Sequence, residues 1–481
     1  MTQFKILIAI FPMLILTSSL DATLKTDKIT LKGNMIVEYK QVPNSVNTFS
    51  EIFSEGILYG RLRTNIFLWD WQGNTGTDNK ALGVGASLIY KTAPLSGLSA
   101  TLGMYTSQNP SFFREDIADL GNLKAGKDTL SRSDTTLTGN YGMSVVAQSY
   151  LQYNISKISI FAGRQLFESV FTASNDTKMI PNTFEGISAS IKDVDKTDIK
   201  LAYFTKQKLR DHTVSHDVLA YGDWTNNDDS AANKNLTVEK IGNNNALFIV
   251  AITNNSLQNL KLNLSYMSVV DVVSNATFES HYSIPITSEW TIVPALRYMK
   301  QFDNLNSDTN VASLKNDTHI GYKNPTSLDS SLLALRLDVK SDAFLARIGY
   351  SNIADKADII APWRGFPTGG FTRAMAQYNW YANTKTYMIR AGYDFSKAKI
   401  IPGFSIMARY AIEDFDDAKD GVQADSNIIH IDARQNVTKN LEAKIRVGLV
   451  TADDSILMSD GISYKSDVSY NEYRFELNYF F

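Results

Sequence analysis

Apolar and polar residues alternate with a period of two in segment after segment of this chain. The last segment is the cleanest. Tyr473, Phe475, Leu477, Tyr479 and Phe481 interleave with Glu472, Arg474, Glu476 and Asn478. Successive side chains of a strand point to opposite faces, so one face is apolar and aromatic and the other is charged. The pattern recurs upstream. Leu333, Leu335, Leu337 and Val339 stand against Arg336, Asp338 and Lys340; Tyr387, Ile389, Ala391, Tyr393 and Phe395 stand against Arg390 and Asp394. Phe404, Ile406, Ala408, Tyr410 and Ile412 oppose Arg409 and Glu413, and Ala443, Ile445, Val447 and Leu449 oppose Glu442, Lys444, Arg446 and Gly448. A sandwich strand can alternate too, with its charged face outward and its apolar face on a second sheet. In a bilayer the apolar set faces lipid and the charged set faces a wet lumen.

The connections alternate in length. Short ones fall at Ala93–Gly97, Asp193–Thr197 and Lys340–Ala343, and long ones at Asn109–Met143, Leu209–Asn245, Asp303–Asp329 and Asp355–Lys385. Short periplasmic turns and long external loops are the asymmetry of an outer-membrane barrel. Counting back from Phe481 predicts an all-β, antiparallel transmembrane barrel of about 18 strands, an even number as such barrels require. The first strand is Ile57–Asp70, and the barrel occupies 56–481. Residues 23–55 are read as an N-terminal periplasmic extension; Ile29–Gln41 alternates enough for a further strand, but that would break parity. At the start, Lys5, the apolar run Ile6–Leu16 and Ala22 read as a cleaved signal peptide over residues 1–22. The run is too short to span a bilayer as a helix, which takes about 20 residues.

Composition narrows the class. The net charge of -3 gives no basic footprint for nucleic acid. The mean hydropathy of -0.17 is far below that of a helical membrane protein. With no cysteine, disulfides, thiolate metal sites and cysteine nucleophiles are excluded. The 23 tyrosines and 24 phenylalanines gather near segment ends, as interfacial girdles would.

Short motifs add a family resemblance. Phe53-Ser54-Glu55-Gly56 with Tyr59-Gly60-Arg61-Leu62-Arg63 resembles the opening strand of OprD-type porins of the epsilonproteobacterial branch. Gly163-Arg164-Gln165, Asp176, Pro181 and Thr183-Phe184-Glu185-Gly186 resemble that family's strand, inward-folded third loop and next strand. Pro362-Trp363-Arg364-Gly365-Phe366-Pro367 resembles an external loop that narrows its channel. The resemblance implies an 18-stranded barrel for substrate-selective or general diffusion. It also implies a basic ladder along the pore and a barrel-assembly signal in the aromatic C-terminus. Residues 21–50 depart from the family's simpler start.

Period two places Arg61, Arg63, Arg297, Arg336, Arg347, Arg390, Arg409, Arg434, Arg446 and Arg474 on lumenal faces, as one basic wall from neighbouring strands. Arginine donates paired hydrogen bonds to carboxylates, so such a wall can pass an anionic group along. The competing role for each is an ion pair within the wall, with Asp338, Asp394, Glu413, Asp432, Glu442, Glu472 or Glu476 available. The constriction is expected at Ser169–Asn182, following Arg164 and carrying Asp176 and Lys178, with Asp176 facing the basic wall. Trp363–Phe371 narrows the mouth from another side.

No catalytic set is legible. His212 and His216 sit in a polar loop without a third ligand, so a zinc site is disfavoured. The acidic run from Glu413 to Asp417, with Asp420, lacks an EF-hand pattern and suits a solvated tip or lipopolysaccharide bridging. No cofactor or metal is expected. The expected function is an outer-membrane porin for small hydrophilic solutes, biased to anionic or carboxylate-bearing ones. Its expected partners are outer-membrane lipid, lipopolysaccharide and the barrel-assembly machinery, and a homotrimer is compatible with the porin class. The rival classes are an adhesive or structural barrel with functional loops and, further off, a barrel enzyme.

Overall fold

The computed structural model describes residues 29–32, 36–72, 76–124, 126–176, 178–219, 235–243, 245–305, 308–314, 319–375 and 378–481. The expected signal peptide, 1–22, lies outside the described residues. Eighteen strands form one closed antiparallel barrel. They are β1 Ile57–Trp71, β2 Asn79–Lys91, β3 Leu98–Gln108, β4 Met143–Ile155, β5 Ile158–Gln165, β6 Thr183–Ile191, β7 Thr197–Lys208, β8 Leu247–Asn254 and β9 Leu260–Val269. They continue as β10 Val273–Tyr282 (extended by Ile284–Pro285), β11 Thr291–Asp303, β12 Ser330–Lys340, β13 Phe344–Ile353, β14 Lys385–Asp394, β15 Phe404–Asp414, β16 Ser426–Asn436, β17 Leu441–Ala452 and β18 Tyr470–Phe480. No helix among the described residues is long and apolar enough to cross a membrane. Closure satisfies every ladder without leaving an edge, as strands in hydrocarbon must.

Each strand pairs with its chain neighbour, and β18 returns to β1 with Tyr470 opposite Trp71 and Phe480 opposite Arg61. The terminal residue continues this seam. Gly60 N–H donates to the Phe481 carbonyl at 2.9 Å, and Phe481 N–H donates back at 3.0 Å. Gly60 faces outward beneath the Phe481 ring; a Cβ there would lie 2.0 Å from ring carbon. Glycine at that point lets the terminal aromatic lie flat against the closing strand.

The two ends differ as expected. One carries only the turns 92–97, 156–157, 192–196, 255–259, 283–290, 341–343, 395–403 and 437–440. The other carries loops L1 72–78, L2 109–142, L3 166–182, L4 209–246, L5 270–272, L6 304–329, L7 354–384, L8 415–425 and L9 453–469. Leu62, Leu88, Leu264, Ile348, Ile389 and Tyr410 are exposed on the outer surface, where lipid lies. At the short-turn end Trp290 meets Phe344, and Phe395 meets Tyr393 and Phe404. This is the aromatic girdle.

Ahead of the barrel, residues Ile29–Lys32 and Ile36–Tyr39 pair antiparallel. The short helix α1, Phe49–Ser54, then leads into β1. Val46 N–H donates to Pro94, and Ala93 N–H donates to Ile52, so this segment is fastened to the first turn. The paired strands pack on lumen-facing side chains of β1–β4.

Replacing Gly60 with valine should cost about 1–3 kcal/mol, because the ring of Phe481 must move off the seam. The loss should appear as a lower temperature at which the compact band of unboiled protein disappears on a denaturing gel. An unchanged temperature would show that the ring has room.

Candidate functional site

L3 folds into the lumen and is clamped to the wall. The Asp176 carbonyl accepts from both Arg61 and Arg63, and its Oδ1 accepts from Arg61 at 2.9 Å. All three residues are buried to 2% exposure or less. Burial pushes the Asp176 carboxyl up, against the pull of Arg61. Buried charges of this kind persist only when paired.

L7 enters from the opposite side and joins L3 through the backbone. Gly365 N–H donates to Phe171 at 3.0 Å, and Ala173 N–H donates to Trp363 at 3.0 Å. A Cβ on Gly365 would lie 2.1 Å from the Phe171 carbonyl carbon, so only glycine permits this approach. Arg364 beside it adopts a left-handed φ of 67°, a conformation that the L3–L7 pairing holds in place. Trp363 Nε1 donates to Val218 of L4 at 2.7 Å. Phe167, Phe171, Leu219, Leu236, Ile360, Trp363, Phe371 and Trp380 then pack against the inner faces of β6–β13. That side of the lumen is filled, largely by apolar side chains.

Polar anchors fix the plug. Asp358 of L7 accepts from Tyr322 Oη, Ala382 N–H and Leu314 N–H at 2.8–3.0 Å. Its burial pushes the carboxyl up to about 6. Arg297 donates to the carbonyls of Pro367 and Gly369, and to Glu279. Arg336 and Arg347 both donate to the Gly370 carbonyl, at 2.7 and 2.5 Å.

The opposite half is wet. A cavity of about 1070 Å³ runs between L7 and the inner faces of β13–β18 and β1. It reaches from Trp71, Lys124 and Tyr381 at the loop end to Ser341, Asp394, Ser405 and Lys444 at the turn end. Its lining holds fourteen basic side chains against six acidic ones. The chain as a whole is slightly acidic, so the basic sign belongs to the lumen. In register across three strands, Arg347 pairs with Arg390 and Arg390 with Arg409. Arg409 donates to the Arg373 carbonyl at 2.6 Å. Arg390 has no carboxylate or carbonyl partner among the described residues, and its Nε is buried without one.

The ten arginines expected on the wall all face inward, but they divide by task. Arg297, Arg347, Arg390, Arg409, Arg434, Arg446 and Arg474 line the cavity. Arg61 and Arg63 lie under Asp176, and Arg336 is taken by Gly370 and His281. Several also pair within the wall: Arg347 with Asp338, Arg446 with Asp432 at 2.6 Å, and Arg474 with Glu472. The register sets Arg63 opposite Asn478, while Arg474 faces Phe67. Arg474 therefore does not sit beside Arg61 and Arg63; its guanidinium lies 5.2 Å over the Phe67 ring.

Three loop expectations change. Arg164 does not belong to the constriction. It follows Gln165 and Gly163 in alternation onto the outer face, where it pairs with Glu185 at 2.6 Å. Asp176 is held in its clamp and does not line the main cavity, whereas Lys178 does. Lys178 stands 3.8 Å from Asp128, and burial together with Arg474 pushes its ammonium down to about 7. His212 and His216 lie packed together rather than solvated, with ring centroids 4.8 Å apart. No cluster of three or more metal-ligating side chains occurs among the described residues. Arg364 and Arg373, missed by the strand pattern, enter the lining from L7, where no periodicity marks them.

The family model described as outer membrane porin, OprD family, matches residues 119–479. No curated protein sequence matched. Among solved structures, Pseudomonas aeruginosa OccK8 (OprE) is similar at 14% identity and TM-score 0.68, over 89% of this chain and 99% of that one. Acinetobacter baumannii OccAB1 is similar at 13% identity and TM-score 0.68, over 89% and 97%. Pseudomonas aeruginosa OpdK, in a structure with vanillate, is similar at 13% identity and TM-score 0.65, over 89% and 99%.

Asp176→Ala should leave two buried guanidiniums uncompensated, at a cost of about 3–5 kcal/mol. L3 should then swing from the wall, raising single-channel conductance in planar bilayers; unchanged conductance would mean that the L7 contacts alone hold it. Lys178 is cationic below its displaced pKa of about 7. Anion preference should therefore fall as pH rises through neutrality, and Lys178→Met should flatten that dependence. A wild-type profile already flat between mildly acidic and mildly basic pH would sink this assignment.

Proposed function

The chain belongs to the OprD family of outer-membrane porins, and we propose that its pore favours small hydrophilic solutes bearing a carboxylate or another anionic group. The fold and the family are those of a channel for small solutes in the outer membrane rather than of an enzyme. The observation that carries the anionic preference is the in-register row Arg347, Arg390 and Arg409 facing the cavity, with no carboxylate or carbonyl on Arg390 among the described residues. A guanidinium row offers successive, similar donor sites, so a carboxylate can shift from one to the next without deep trapping. Asp432 and Glu442 among the lining residues weaken the field locally and keep binding shallow. An adhesive barrel would need no wet, charged cavity reaching toward both ends.

Under this reading residues 1–22 are the export signal and the barrel-assembly machinery reads the strand that ends in Phe481. Lipopolysaccharide would surround the outer rim, with the charges of Arg164 and Glu185 at that level.

Reversal potentials across a salt gradient test the proposal. Wild-type protein should prefer anions. Removing one charge about 5 Å from a solvated ion changes its energy by about 0.8 kcal/mol, against the anion and for the cation, so Arg390→Ala should lower the anion-to-cation ratio by up to about sixteenfold. Arg409→Ala should act in the same direction. Vanillate, the compound in the OpdK structure, is a suitable carboxylate probe. A wild-type pore that selects cations would overturn the anionic reading, and absence of any conductance would overturn the channel reading.

A further inference from the structure

Beside Arg61 and Arg63, the lumen-facing surface of β1–β4 carries an apolar patch where a water-filled pore would favour polar groups. Tyr59, Ile89, Tyr105, Met143 and Val145 all point inward there, and all are buried. Part of what covers them is the pair of strands Ile29–Lys32 and Ile36–Tyr39. Ile29 is 3% exposed within that cluster, beside Met179 and Ile180 of L3. Tyr39 stands edge-on to Tyr59 at 4.8 Å, and the Lys91 ammonium lies 3.7 Å over its ring. Tyr59 Oη donates to the Gln41 carbonyl at 2.6 Å. The segment enters past the first turn, to which it is tied by the Val46 and Ala93 hydrogen bonds.

A second cavity of about 290 Å³ lies beside it. L3 contributes Glu168 and Asp176, the wall contributes Tyr150 and Lys200, and Val37 and Tyr39 form the remaining side. Without the paired strands this space would merge with the turn-end mouth and lie open along β4–β7. Solute would then have a route past L3 that avoids the arginine row on the far side of the barrel.

We infer that the paired strands Ile29–Lys32 and Ile36–Tyr39 form a resident insert of the lumen, a specificity-determining element that closes the β1–β7 side and confines solute to the arginine-lined side. The apolar patch on the wall and Ile29, Val37 and Tyr39 of the paired strands are complementary: each would be a liability in water without the other. The inference rests on the channel reading for its transport consequence, but not for its placement.

Two measurements test it. Full-length protein and a variant lacking residues 29–40 are compared in planar bilayers. The deletion should show higher unitary conductance and a lower anion-to-cation ratio; identical values would overturn the inference while leaving the channel reading intact. The chain has no cysteine, so Ile29→Cys provides a single thiol in the whole protein. That thiol should react with a bulky, charged maleimide far more slowly in folded barrels than in urea-unfolded chain. Equal rates would overturn the placement, whether or not the deletion variant folds or the pore conducts.

Discussion

A strand that crosses hydrocarbon must have every backbone donor and acceptor paired by another strand, so the sheet has to close on itself. Here closure runs along Tyr470–Phe480 against Arg61–Trp71 and is continued by the last residue. Phe481 exchanges both backbone hydrogen bonds with Gly60, and its ring occupies the space that a side chain at 60 would need. Once β18 is seated on β1, the register of the whole cylinder is fixed. A slip of one residue along β18 would turn Arg474 and Glu476 to lipid and Tyr473 and Leu477 to the lumen. The charged lumen and the apolar outer belt are thus consequences of one seam.

The cylinder encloses more space than its wall side chains fill, and the loops settle how that space is used. L3, L4, L6 and L7 pack a largely apolar plug on the β6–β13 side, held by Trp363, Phe371 and Trp380. The wet cavity is what remains along β13–β18 and β1. Polar anchors make the plug unique: Asp358 ties L6 to L7, Asp176 ties L3 to β1, and the Gly370 carbonyl collects two guanidiniums. Because each anchor is a buried polar group held by a partner from another element, losing that partner is costly.

Arginine therefore plays two parts in one lumen. On β11, β12, β13 and β15 and at the foot of β1 it is a strut, donating to loop carbonyls and to the carboxylate of Asp176. Arg390 keeps its donors for whatever passes. The distinction comes from distance to a loop, not from position in a strand. The five donors of a guanidinium suit both tasks, since carbonyls and carboxylates accept in similar geometry.

The strand pattern by itself determined the barrel, its strand count, the outward face of each strand and the end that carries long loops. Those properties follow from period two and from the contrast between lipid and water, which act on each strand locally. It also put all ten wall arginines on the inner face, because alternation is indifferent to what the residue later touches. The pattern could not say which of them would meet a loop. Asp176 was expected to face the basic wall across an open gap, and instead lies folded against Arg61 and Arg63. Arg164 was grouped with the constriction by nearness in sequence, yet one step along a strand reversed its face. Arg364 and Arg373 carried no signal, since loop positions have no period. Only the tertiary structure decided where L3 and L7 meet, because that meeting depends on the Gly365–Phe171 approach and on side chains far apart in sequence. Phe481 belongs to both accounts: alternation marked it as the end of a lipid-facing stripe, and the fold made it the lock of the barrel.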